Sequence, residues 1–301
     1  MSITDIPDEM GPVFGPLLSS LNSAALGKDI LVAGGYGLFL KQNWLLANPS
    51  VRTAVPVSQW LNHNPRATKD LDLVIGLDLI SSATAQREML EILTGNDFQV
   101  SVENPRWQFV REMPGPRRAI VELHAPLPAG PQAAGLRFDR MRIKHRPSLG
   151  DQGIHARANP ESLGCGLYPF QFSVRGMMVR VPNPVTWAVM KLTAAEDRWK
   201  EARNPAKTAD FRSFSQAQAI KHAQDVFKVV AMMTRDESDA TGEIVEELRT
   251  KDEFTKAAWI MAESFSDGEQ WGAGVMLENW SREDGGLITG ILRNWFGQST
   301  G

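Results

Sequence analysis

The chain has 301 residues, 43% of them hydrophobic and 22% charged, which suits one large domain or two modest ones around an ordinary core. A formal net charge of -3 and a pI near 6.0 exclude bulk attraction to nucleic acid, so any polynucleotide contact must come from a local patch. One cysteine, Cys165, excludes an internal disulfide framework and a cysteine-rich zinc site.

The N-terminal segment is acidic and lacks a charged-then-apolar signal pattern. No stretch approaches the roughly 18 apolar residues of a membrane span. A cytoplasmic protein away from the membrane is expected. Cys165 fits a reducing compartment, either as a structural thiol or as a reactive one.

Apolar spacing predicts a first helix over 13–25, with Leu17, Leu18 and Leu21 on one side. Residues 29–33 make a short apolar strand, stopped by Gly34-Gly35, and 36–44 are helical again. Pro49, Pro56 and Pro65 mark 49–66 as loop. The segment Asp70-Leu-Asp-Leu-Val-Ile75 alternates polar and apolar, a strand with Asp70 and Asp72 on one face. A helix over 82–93 is followed by strands over 98–102 and 107–112, with Pro105 between them. After the Pro114-Gly115 turn, 118–124 form another strand.

Residues 125–160 are rich in Pro, Gly and charge, and one further strand is expected over 174–181. Beyond Pro182 and Pro184 the character changes. Helices are predicted over 186–200, 216–234, 239–251, 254–264 and 287–295, with no internal repeat. The expected organisation is a mixed α/β half over 1–182 and a helical half over 183–301.

Two carboxylates at i and i+2 of a strand point the same way, roughly 6–7 Å apart at the backbone. Such a pair can reach one divalent ion or flank two, and without a cation it repels itself. The alternative for Asp70 and Asp72 is an edge strand with two solvated aspartates. Upstream, the strand-Gly34-Gly35-helix element would let a phosphate approach backbone N–H groups at a helix start.

Together these segments, Val32-Ala-Gly-Gly-Tyr-Gly-Leu38 and Arg66-Ala-Thr-Lys-Asp-Leu-Asp-Leu-Val74, resemble the signature of DNA polymerase β-like nucleotidyltransferases. The second is especially similar to the AbiEii/MenT-type toxin branch, in which a basic residue and a Ser or Thr precede Asp-x-Asp; here these are Arg66 and Thr68. The resemblance implies an α+β fold, a mixed sheet with helices followed by a C-terminal helical domain that completes the nucleotide and acceptor cleft.

It also implies a third carboxylate on a neighbouring strand. Glu122, alone among apolar residues in Ala119-Ile-Val-Glu-Leu-His124, is the candidate; the alternative is a solvent-facing glutamate. His124 shares its face and either lines the site or is a hydrogen-bonded structural histidine. Lys191, in Val185-Thr-Trp-Ala-Val-Met-Lys-Leu-Thr-Ala-Ala-Glu-Asp-Arg198, matches a triphosphate-binding lysine, with Glu196 and Asp197 as rival structural partners. Asp225, in Lys221-His-Ala-Gln-Asp-Val-Phe227, matches a catalytically implicated aspartate and could equally be a surface carboxylate or the partner of a basic residue.

The implied chemistry is metal-dependent transfer of an NMP from an NTP to a hydroxyl. Asp70, Asp72 and Glu122 would hold Mg²⁺ or Mn²⁺, and Gly34, Gly35, Arg66, Thr68 and Lys191 the nucleotide. The resemblance spans roughly 30–230; the last seventy or so residues match nothing nameable.

For the acceptor, the resemblance implies an RNA end, in particular tRNA, within a toxin–antitoxin or phage-defence system that would bring a cognate antitoxin as partner. The basic run Arg137, Arg140, Arg142, Lys144 and Arg146 is the candidate RNA contact, against the alternative of a solvated surface. Two other readings stand beside it: a small-molecule nucleotidyltransferase of the antibiotic-modifying kind, and a nucleotide-binding protein without turnover.

Overall fold

A computed structural model of the chain describes residues 8–24, 26–60 and 68–297. The described residues fall into two compact units, one of 8–44 with 68–182 and the other of 45–60 with 183–297.

In the first unit the elements run α1 (Gly11–Ser23), β1 (Ile30–Val32), α2 (Gly34–Ala47), β2 (Asp70–Ile75), α3 (Leu77–Ser81), α4 (Ala83–Gly95), β3 (Gln99–Val100), β4 (Gln108–Glu112) and β5 (Arg118–Ala125). Then come β6 (Leu136–Asp139), β7 (Arg142–His145), β8 (Ala156–Ala158), β9 (Phe170–Val174) and β10 (Met177–Val181). The main sheet has the order β1-β2-β5-β8-β7-β6, with β4 also on β5 and β3 on β4. Strand β5 runs parallel to β2 and β8, and the other pairings are antiparallel.

The sequence explains why β2 and β5 sit centrally. Leu71 and Leu73 flank Asp72, Val121 and Leu123 flank Glu122, and all four are completely buried. Each such side chain contributes about 1.5–3 kcal/mol of burial. Helix α1 buries Phe14, Leu17 and Leu21, with Phe14 edge-on to Tyr36 at 5.0 Å. Burial and the neighbouring Asp8, which accepts from the Tyr36 hydroxyl at 3.0 Å, push the Tyr36 pKa up. Cys165 is buried, and that burial alone raises its thiol pKa.

One expectation changes here. The single strand over 174–181 is the second arm of a hairpin, because Arg175 and Gly176 (φ 50° and 80°) turn the chain between β9 and β10. The polar stretch 125–160 holds three strands. Their buried residues are few, chiefly Leu136, Ile143, Ala156 and Ala158, and their charged residues face outward.

The second unit contains α5 (Pro184–Ala202), α6 (Ala209–Ala231), α7 (Arg235–Leu248), α8 (Asp252–Ser264), α9 (Trp271–Leu277) and α10 (Arg282–Phe296). Each start carries a recognisable signal where a side chain caps it. Asn183 accepts from Thr186 N–H at 2.8 Å before Pro184, and Thr234 and Glu237 form a reciprocal capping box. Residues 45–60 join this unit through backbone bonds from Ala54 and Val55 to the carbonyls of Met233 and Ala231. Among the described residues no helix is long and apolar enough to cross a membrane.

Candidate active site

Strand β1, Gly34 and helix α2 make one edge of the site. The ladder extends past β1, with Ala33 N–H donating to the Asp72 carbonyl at 2.8 Å. The chain then turns at Gly34, which has φ +60°, and enters α2. A Cβ on Gly34 would overlap the Asp72 carboxylate, only 2.7 Å from its Cγ. Gly34 is therefore required twice, by its backbone and by the closeness of Asp72. Gly35 is less constrained. A Cβ there would meet Thr68 at 3.6 Å, an ordinary contact. Thr68 in turn exchanges 3.2 Å hydrogen bonds with the Asp70 backbone through its hydroxyl.

Register brings the acidic residues together. Asp72 of β2 lies directly beside Glu122 of β5, and on the other side of Glu122 lies Gln108 of β4. Gln108 Nε2 donates to Glu122 Oε1 at 2.7 Å and fixes that carboxylate. His124, two residues along β5, turns Nε2 back to Asp72 Oδ1 at 3.5 Å and Glu122 Oε2 at 3.4 Å. Burial works against a charge on His124, but its hydrogen bonds to Asp72 and Glu122 and their negative charges outweigh it, raising the pKa to about 9. Its Nδ1 is buried with no hydrogen-bond partner.

Ligand atoms of Asp72, Glu122 and His124 lie within 4.8 Å of one another. The donor set fits a divalent ion. Two carboxylates suit a hard cation, and an added imidazole suits a first-row ion such as Mn²⁺ better than Mg²⁺.

Asp70 is outside this cluster. It shares the strand face of Asp72 but is exposed at the start of β2, opposite Ile120. Of the two aspartates, Asp72 is the one whose ligand atom lies close to those of Glu122 and His124. His124 is the member that sequence reasoning left out of the ligand set, although its spacing from Glu122 put it on the same face. Arg66 lies outside the described residues.

Lys191 and Asp225 are brought together in the helical unit. Lys191 Nζ of α5 donates to Asp225 Oδ2 of α6 at 2.8 Å, and the side chains are 8% and 3% exposed. The nearer carboxylate Glu196 instead pairs with Lys200 at 3.3 Å and accepts from Ser264 Oγ. Lys191 and Asp225 therefore tie α5 to α6.

The basic run forms the β6–β7 hairpin. Arg140 and Met141 sit at its tip with φ 47° and 65°, a two-residue turn usually given to Asn and Gly. Lys144 is paired with Asp139 at 3.1 Å, while Arg137, Arg140 and Arg146 are exposed.

No family model, curated protein or solved structure matches the chain.

Proposed function

We propose that this chain is a metal-dependent nucleotidyltransferase of the polymerase β-like kind, moving an NMP from an NTP to a hydroxyl at an RNA end, with tRNA as the leading acceptor and a toxin of the AbiEii/MenT type as its biological role. The observation that supports it most is the placing of Asp72 beside Glu122 on adjacent parallel strands, directly under the Gly34 turn into α2. That arrangement sets carboxylates next to a glycine turn at a helix start, where a triphosphate could meet backbone N–H groups.

In this reading Asp72 and Glu122 hold the ion, with His124 as a third donor when its Nε2 is deprotonated. The bound ion would neutralise phosphate charge and polarise the α-phosphorus. The acceptor hydroxyl oxygen bonds to that phosphorus, the α–β bridge breaks, pyrophosphate leaves, and the hydroxyl proton goes to water. Gln108 keeps Glu122 oriented through the reaction. Asp70 lies exposed on the same strand face as Asp72. For Lys191 to reach a phosphate, it would have to exchange its Asp225 bond for one to the nucleotide.

The test is incubation with each radiolabelled NTP, Mg²⁺ or Mn²⁺, and total tRNA, with aminoglycosides as a parallel acceptor. Label on RNA from wild type and none from Asp72→Asn is the expected result. Label on the small molecule alone would move the assignment to the antibiotic-modifying class, and no label under any condition would overturn it.

A further inference from the structure

The sheet face that carries Asp72, Glu122 and His124 continues past the acidic cluster toward a basic pocket. Directly paired residues project to the same face of a sheet. Next to His124 on β5 lies Arg157 of β8, and next to Arg157 lies Arg142 of β7. Neighbouring strands are about 4.8 Å apart, so these two arginines stand one and two strand steps from His124. Like charges directly opposite in an antiparallel pair repel, so the arrangement favours an anion bridging them.

A cavity of about 280 Å³ opens there, lined by Arg140, Arg142, Arg157, Trp107, Asn104 and Glu103 among others. Three arginines and one glutamate line it, a net positive lining that suits a phosphate group. The Arg157 guanidinium lies over the Trp107 ring, 5.6 Å from its centre, so a cation and an indole meet in the pocket lining. Such a pair offers a phosphate contact and a stacking surface together. The positive field extends inward. Burial, with Lys144, Arg106 and Arg142, lowers the pKa of neighbouring His155 to about 4.

A second link joins pocket and cluster. Asn104, in the pocket wall, donates through Nδ2 to Gln108 Oε1 at 3.1 Å, and Gln108 donates to Glu122 at 2.7 Å. A hydrogen-bonded chain of two side chains thus runs from the pocket wall to the Glu122 carboxylate.

We propose that this pocket binds one nucleotide of a single-stranded polynucleotide, its base on Trp107 and its phosphodiester on Arg142 and Arg157, so that the strand's end reaches the Asp72–Glu122 cluster. The proposal rests on the nucleotidyltransferase reading for its purpose, but its chemistry can be measured without turnover.

Fluorescence anisotropy of short labelled oligoribonucleotides and oligodeoxyribonucleotides, in EDTA and without NTP, is the test. Wild type should bind a single strand of at least one of the two with an affinity that falls steeply with salt. Arg142→Gln/Arg157→Gln should weaken binding about tenfold or more and lower the salt slope by about 0.7–1.4, the loss of one or two phosphate contacts. Trp107→Ala should weaken it by about fivefold or more with an unchanged slope, as lost stacking does. Arg87→Gln, on α4 outside the pocket, should bind as wild type does. Circular dichroism checks that each variant is folded; the single variants Arg142→Gln and Arg157→Gln replace the double variant should it unfold, and Trp107→Leu replaces Trp107→Ala.

Equal binding by wild type, the arginine variant and the tryptophan variants would overturn the pocket. So would AMP competing as well as a longer strand, since a mononucleotide site would then suffice. RNA bound more tightly than DNA assigns the ligand to RNA; the reverse assigns it to DNA. Either supports the pocket. Strand binding that depends on these residues, with no transfer under any NTP, would remove the nucleotidyltransferase reading alone. Transfer that survives the arginine and tryptophan variants would remove the pocket alone.

Discussion

Gly34 and Asp72 touch so closely that a methyl group on the glycine would run into the carboxylate, and the same glycine holds φ +60° at the start of α2. Gly34→Ala therefore meets two penalties, a left-handed backbone of about 1–2 kcal/mol and displacement of Asp72. A loss of about 2–4 kcal/mol in urea unfolding is expected, with transfer falling at least as far as in Asp72→Asn. Gly35→Ala has room beside Thr68 and gains helix propensity, so its stability should change by less than about 1 kcal/mol. Equal effects at the two positions would show that Asp72 is not held by Gly34.

Metal binding should follow the cluster rather than the Asp-x-Asp spacing. Titration with Mn²⁺ followed by paramagnetic resonance should show affinity reduced about tenfold or more in Asp72→Asn and Glu122→Gln. Asp70→Asn, outside the cluster, should lose less. Gln108→Ala removes only the hydrogen bond that orients Glu122 and should cost about 10–100-fold in affinity or activity. A larger loss at Asp70 than at Asp72 would overturn this assignment.

Some of this was legible in the sequence because it is local. Alternation along 70–75 and 118–124 exposes carboxylates on strands, and a lone Glu122 between apolar residues stands out. Which strands are neighbours is not local information. The register that sets Asp72 beside Glu122, and His124 beside Arg157, depends on packing far along the chain. For the same reason Lys191 finds Asp225, 34 residues away on another helix, rather than the nearby Glu196 or Asp197. Strands β6 to β8 escaped notice because their outward positions are charged and each buries only one or two apolar side chains. The Arg175-Gly176 turn carried a readable glycine signal that the continuous apolar spacing over 174–181 concealed.

His155 gives a pH dependence of defined sign. Burial and the nearby Lys144, Arg106 and Arg142 lower its folded pKa to about 4 from the ordinary 6.5, opposed by a backbone hydrogen bond to Pro105. The unfolded chain then binds more protons than the folded one between these values. Stability from this group is complete above about pH 6.5 and is lost as the pH falls toward 4. Its partial exposure limits the effect to roughly 1–2 kcal/mol at about pH 5. Replacing the ring by a group that does not titrate, His155→Gln, should flatten the fall in urea midpoint between about pH 7 and 5. Parallel curves for the two proteins would refute the shift.

The Lys191–Asp225 bond makes a prediction that separates structure from catalysis. Both side chains are almost fully enclosed, so removing one partner leaves the other buried without this ion pair. Lys191→Met and Asp225→Asn should each cost about 3–5 kcal/mol in urea unfolding. The double variant Lys191→Met/Asp225→Leu removes both charges and fills the space, so it should be more stable than either single variant implies by addition. Nucleotide binding is then measured on the double variant. If it binds NTP as wild type does while remaining folded, the pair serves α5 and α6 alone. If it folds but loses NTP affinity by about tenfold or more, the lysine must leave Asp225 for a phosphate, as a charge-assisted contact of about 1.5–3 kcal/mol would require.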